Sequence, residues 1–190
     1  MNKIVKTILI ALAVIAIVVS ILVAIFKVNG KTKTSLEPVN SSEDLLALVD
    51  KIYEGEKGLF PSLQTQTVDV ADSDFIKYYT GLENGTNLEY IVASEPMISS
   101  QAYSLVVAKV KAGVDANAIA KEMSEKVNTA KWICVLADKL YATSSGDIVF
   151  LVMSSEDMAK PIYEKFKTLA GNVNEVYEKS EEVSFTPVMY

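Results

Sequence analysis

The 190-residue sequence predicts an α+β fold: an antiparallel sheet from two strand-strand-helix units, with helices packed on one face, preceded by a single N-terminal transmembrane helix. Three observations predict it. Thr7 to Phe26 carries no charge and is almost wholly aliphatic. Farther on, two stretches repeat one order, a pair of β-favouring runs followed by a run of helical period. All 24 acidic residues lie beyond the apolar segment, the first being Glu37, so the chain divides into an apolar start and a charged domain.

Twenty residues of helix span ~30 Å at ~1.5 Å per residue, the thickness of a bilayer core. The expected organisation is a short basic cytoplasmic tail over 1–6, a transmembrane anchor over 7–28 held by the lipid bilayer, and a polar tether over 29–41. A cleaved signal peptide has a shorter apolar core, roughly 7–15 residues, and a small-x-small exit. Here the run leaves through Ile25, Phe26, Lys27, Val28 and Asn29. A lipoprotein signal needs a cysteine just after the run, and the only cysteine is Cys134. Lys3 and Lys6 precede the segment while Lys27, Lys31 and Lys33 follow it, so the positive-inside rule is nearly balanced. The basic cluster running directly into the apolar stretch is the signal-anchor pattern and places the domain outside the cytoplasm; the reversed orientation stays open. Ala16, Ser20 and Ala24 share one helix face at four-residue spacing, which allows a weak homodimer in the membrane.

The α+β domain is expected over 42–171. Ser41 and Asp44 stand at capping-box spacing ahead of Leu45, Leu48, Val49 and Ile52, a first helix stopped by Gly55 and Gly58. Thr65, Thr67 and Val68 suggest a short strand. Asp72-Ser73-Asp74 caps a brief helix that ends at Gly81. Leu88 to Ala93 and Tyr103 to Lys111 read as strands joined by a turn near Pro96. A helix follows over about Asp115 to Lys126, with Ile119, Met123 and Val127 on one face. Leu140 to Thr143 and Ile148 to Met153 flank the hairpin turn Ser144-Ser145-Gly146-Asp147. A last helix runs from about Ser155 to Ala170 with Ile162, Phe166 and Leu169 on one side. Pro161 conflicts with that helix unless it lies in the first turn or the helix starts later. Residues 172–190, with Glu175, Glu178, Glu181 and Glu182, are expected as an acidic tail, mobile or lying loosely on the domain.

Composition narrows the chemistry. All 18 basic residues are lysines, with no arginine and no histidine. That removes Ser-His-Asp and Cys-His catalysis, the commonest transition-metal ligand, and the bidentate fork for phosphate. Beyond Lys33, 13 lysines face 24 acids, a formal charge of −11 that repels nucleic acid. Cys134 lies among Trp132, Ile133, Val135 and Leu136 and reads as a buried small hydrophobe.

The stretches Asp44-Leu45-Leu46 to Ile52-Tyr53-Glu54, Tyr78-Tyr79-Thr80-Gly81-Leu82, Ser104 to Lys111, and Ile148 to Val152 behind Gly146 resemble a bacterial family of unknown function. The resemblance covers about 42–169. It implies a small α+β domain behind a lipoprotein signal or membrane anchor, mostly in Gram-positive bacteria, and it supplies no activity. This chain departs from that pattern in lacking both an arginine in the middle helix and the lipoprotein cysteine.

No residue rises to a catalytic, cofactor-binding or metal-binding assignment. Asp69, Asp72 and Asp74 are the densest acidic group before the tail, but a helix N-terminus accounts for two of them. Phe75, Tyr78, Tyr79, Tyr90 and Tyr103 offer an aromatic surface, or else Phe75 and one tyrosine of the 78–79 pair enter the core. Glu83 with Glu89, or Glu95 with Asp147, are the carboxylate pairs that a hydrolase would need. The function expected is a non-catalytic extracytoplasmic interaction or scaffold domain of the cell envelope, binding an envelope protein or polymer through the sheet's open face. The alternatives are a carboxylate-dependent hydrolase of envelope polysaccharide and a cytosol-facing partner of another membrane protein.

Overall fold

The computed structural model describes residues 34–56, 62–98 and 100–180. The anchor expected over 7–28, with Ala16, Ser20 and Ala24, lies outside them. Among the described residues no helix is long and apolar enough to cross a membrane.

The described elements run α1 (Ser42–Tyr53), β1 (Leu63–Thr67), α2 (Ser73–Thr80), β2 (Leu88–Pro96), β3 (Ser104–Val110), α3 (Ala116–Lys126), β4 (Lys139–Ser145), β5 (Ile148–Ser154), α4 (Glu156–Ala170) and β6 (Tyr177–Ser180). The six strands form one antiparallel sheet in the order β1-β2-β3-β5-β4-β6.

Local signals placed most elements. The Ser41 hydroxyl accepts from the Asp44 amide while the Asp44 carboxylate accepts from the Ser41 amide, a closed capping box. Asp72 and Asp115 cap α2 and α3 in the same way with their carboxylates. Gly81 ends α2 at φ +76, and the backbone of Lys126 and Val127 sits where a side chain would start. Glycine there lets the ends of α2 and α3 touch. Gly146 opens the two-residue β4–β5 turn at φ +62, the first-position glycine that a tight hairpin asks for.

Both faces of the sheet are covered, which corrects the expectation of helices on one face only. One core packs α1 and α4 on Val92, Leu105, Val107, Phe150 and Val152, with the Phe150 and Phe166 rings stacked 4.3 Å apart. The other packs α2 and α3 on Ile91, Ala93, Val106, Ala108, Val149 and Leu151. The cause is topological. Because β5 lies between them, β3 and β4 run parallel, and α3 is the crossover joining them. Likewise β5 and β6 run parallel across β4, joined by α4. Both crossovers step the same way across the sheet, but their strands point in opposite directions. Two crossovers of one hand must then lie on opposite faces, as the strong preference for right-handed crossovers requires.

Pro161 is the sixth residue of α4, so neither expected escape applies: the helix runs straight through it. Its ring removes the bond to the Asp157 carbonyl, on a half-buried side, while Ile162 and Phe166 hold the helix to the core. Pro161→Ala is therefore expected to raise stability by about 1–3 kcal/mol, read as a higher urea midpoint at unchanged slope. A lower midpoint would show that the proline ring packs favourably.

Two flanking segments belong to the domain. Val39 is buried, and the Ser35 amide donates to the Ala170 carbonyl at 2.8 Å, so the expected tether is already docked from Ser35 onward. The expected loose tail is fixed as far as Ser180. The Ser145 hydroxyl donates to the Asn172 carbonyl, the Asn174 side-chain amide donates to Ser144, and β6 pairs with β4.

Candidate functional site

The sheet has two unlike ends. At one, the β4–β5 turn meets the start of the described chain, where a Cβ on Gly146 would meet Thr34 and one on Gly171 would meet Ser35. The other end collects the last residues of β2 and β5, the first of β3 and β4, and the loops 97–103 and 127–138.

At this second end stands a buried cation. The Lys131 side chain is 3 % exposed, and its Nζ lies 2.5 Å from Glu95 Oε1. Nζ also donates to the Tyr78 carbonyl and the Ser104 hydroxyl, each at 3.3 Å. Three rings surround it, with centroids 4.2 Å (Tyr78), 5.0 Å (Tyr79) and 5.4 Å (Trp132) from the ammonium. Burial pulls the Lys131 ammonium below its ordinary range, and Glu95 opposes that shift. The Tyr78 hydroxyl donates to Glu95 Oε2, and burial, reinforced by the Glu95 charge, pushes it up to about 12. Tyr79, which receives a bond from Gln66, is raised first by burial and then by Glu95. The cluster joins α2, β2, β3 and the 127–138 loop into one unit.

With Lys131 drawn inward and Val127, Thr129 and Ala137 buried, the middle of the loop is turned out. The Ala137 amide closes on the Thr129 carbonyl at 2.8 Å. Ile133 is 72 % exposed, Leu136 is exposed, and Cys134 is exposed in the left-handed region at φ +60. This corrects the expectation of a buried Cys134. A cysteine in that conformation costs about 1–3 kcal/mol, which the surrounding loop must sustain. Beyond β2, Met97 is 71 % and Ile98 60 % exposed. Tyr78 and Phe75, on the adjoining side of α2, complete the exposed large apolar side chains among the described residues. Such a grouping marks an interaction surface more often than chance exposure does.

The aromatic expectation is met in part. Tyr79 is buried, but Phe75 stays outside, stacked on Tyr79 at 6.3 Å, and Tyr103 lies fully inside the opposite core. Of the carboxylate pairs, Glu95 and Asp147 are held at opposite ends of the sheet, and Glu83 and Glu89 are each engaged by a lysine. Glu83 pairs with Lys77 and Glu89 with Lys109. Glu95 lies at the Lys131 end, while Asp147 is in the β4–β5 turn at the other. Asp69 accepts from the Ala71 amide, and Asp72 is committed to the α2 cap. A cleft of about 230 Å³ between residues 35–39 and α1 has its polar groups similarly occupied, with Asp44 in the capping box and Lys51 paired to Glu37.

Lys131 was missed in the sequence, although a signal was present. A lone lysine beside the only tryptophan, followed by Ile133, Cys134, Val135 and Leu136, is the setting of a buried cation. No family model matches the chain, and neither a curated protein nor a solved structure matches it.

Proposed function

We propose that this chain is a membrane-anchored, non-catalytic interaction domain of the bacterial cell envelope, lying outside the cytoplasm and docking a protein partner through the apolar end of its sheet. One observation carries the reading. Met97, Ile98, Ile133 and Leu136 stand exposed at the end of the sheet opposite Thr34, where the chain enters the domain. Because both sheet faces are covered, the open-face surface expected from the sequence gives way to this pole. The uncharged segment 7–26, long enough for a bilayer core, supports the location. The formal charge of −11 beyond Lys33 suits a protein partner better than an anionic polymer.

Topology tests the location. A phosphatase active only outside the membrane, fused after Tyr190, is expected to be active, and a fluorescent reporter that works only in the cytosol to be dark. The reverse pattern would overturn the envelope location and turn the domain toward the cytosol.

A further inference from the structure

We infer that β1 is an open sheet edge that takes up an extended segment of the protein partner as an added strand. This rests on the docking role proposed above and names the form in which the partner binds. The β1–β2 ladder fixes which backbone groups are used. The Met97 amide donates to the Ser62 carbonyl and the Val68 amide to the Ile91 carbonyl, in one register with the pairs between them. In an antiparallel ladder only alternate residues bond the neighbouring strand, so Gln64 and Gln66 face β2 as well. Leu63, Thr65 and Thr67 therefore point their amides and carbonyls the other way, and among the described residues nothing bonds them. Donors and acceptors at the two-residue repeat of a strand match another extended backbone.

The two edges of the sheet are unlike. Strand β6 carries Glu178 and Lys179, with Lys179 donating across to the Glu125 carbonyl, and such charges keep an edge from pairing. Strand β1 reads Leu63-Gln64-Thr65-Gln66-Thr67, with no charge, proline or bulge. An edge left bare in this way is an aggregation hazard unless pairing is its use. Its side chains define the occupant. Leu63 packs against the core beneath α1, and Thr65 and Thr67 share its side. Gln66 lies on the α2 side, where it donates to Tyr79. A partner strand then sets alternate β-branched residues against the first row and polar ones against the second. The formal charge of −11 beyond Lys33 favours lysine or arginine at those polar positions and disfavours a second copy of this chain. Because Ser62 meets Met97, an antiparallel segment ends at the apolar pole, where its C-terminal residues arrive beside Met97 and Ile98.

The full chain in detergent micelles is titrated with a short fluorescent peptide alternating lysine with valine, and binding is read by anisotropy. The valines of the bound peptide turn their amides to β1 and the lysines turn theirs away. N-methylation of the valines is expected to weaken binding about tenfold, and N-methylation of the lysines to leave it within about twofold. Thr65→Pro should weaken binding about as much as the methylated valines while keeping the fold, because the Thr65 amide takes no part in the β1–β2 ladder. Should that variant not fold, the two methylated peptides still separate strand addition from charge attraction. Equal binding of all the peptides, or no binding of the unmethylated one, would overturn strand addition. A dimer of the full chain that Thr65→Pro dissociates would put a second copy on the edge and overturn it too. A crosslink from Met97 to the partner that persists in folded Thr65→Pro would also overturn it, yet leave docking at the pole standing. Absence of any crosslink from the pole of the unaltered chain would instead remove the docking role on which it rests.

Discussion

Replacing Lys131 with alanine is expected to destabilise the domain by about 3–5 kcal/mol, the usual cost of removing one partner from a buried ion pair. The loss has two sources. Glu95, itself 16 % exposed, loses the ammonium that stands 2.5 Å away. The three rings lose the group that they enclose, and the Tyr78 carbonyl and Ser104 hydroxyl lose a donor. Lys131→Met with Glu95→Gln is expected to recover most of the loss, since both charges then leave together. Urea unfolding followed by the fluorescence of Trp132 measures both variants. A loss below about 1 kcal/mol for the single variant would mean that the pair behaves as an exposed one. Then the account of what orders the 127–138 loop fails.

Between pH 10 and pH 12 the domain is expected to lose about 3 kcal/mol or more through a pair of buried tyrosines. The Tyr53 and Tyr103 hydroxyls meet at 2.9 Å inside the core beneath α1. Burial raises Tyr53 to about 12, and raises Tyr103 well above its ordinary value, with Tyr53 adding to the shift. A fold that favours the protonated phenol is fully supported below the unfolded value near 10, and loses that support as pH climbs through the folded one. Two pH units at ~1.36 kcal/mol each give the Tyr53 share. Lys131 acts oppositely. Its depressed folded value means that stability grows as pH rises toward the ordinary lysine value, which offsets part of the loss. Urea midpoints at pH 8 and 11.5, with Tyr53→Phe as comparison, test this. The variant should show a shallower decline; midpoints that do not fall with pH would contradict it.

The sequence revealed elements better than their arrangement. Ser41, Asp72 and Asp115 cap helices through bonds that span two or three residues, and Gly81 and Gly146 mark ends needing positive φ, so these could be read locally. Strand order is not local. That β5 inserts between β3 and β4, and so sends α3 and α4 to opposite faces, depends on pairings between distant segments. A hint lay in β5 itself: Ile148 to Met153 has no polar alternate, and every residue is buried, as in a strand covered on both sides. Strand β6 escaped because an edge strand with Glu178 and Ser180 exposed looks like the acidic tail that contains it. Cys134 was misplaced for a related reason. Trp132 to Leu136 is apolar enough for a core, but beside the buried Lys131 only Trp132 packs inward while Ile133, Cys134 and Leu136 are exposed. The apolar pole was illegible as a site because its members come from three separate segments, joined only by the ends of four strands.

The central claim is that this pole, and neither sheet face, is where the protein meets its partner. The direct measurement is photo-crosslinking in living cells, with the photoreactive residue placed in turn at Met97, Ile133 and Lys111. Lys111 lies at the opposite end of β3, where its backbone amide bonds the Asn87 carbonyl. The account predicts one adduct of the same mass and protein identity from positions 97 and 133, none from 111, and its loss when the other pole residue is changed to glutamate. Adducts of equal yield from all three positions, or an adduct from 111 alone, would contradict it.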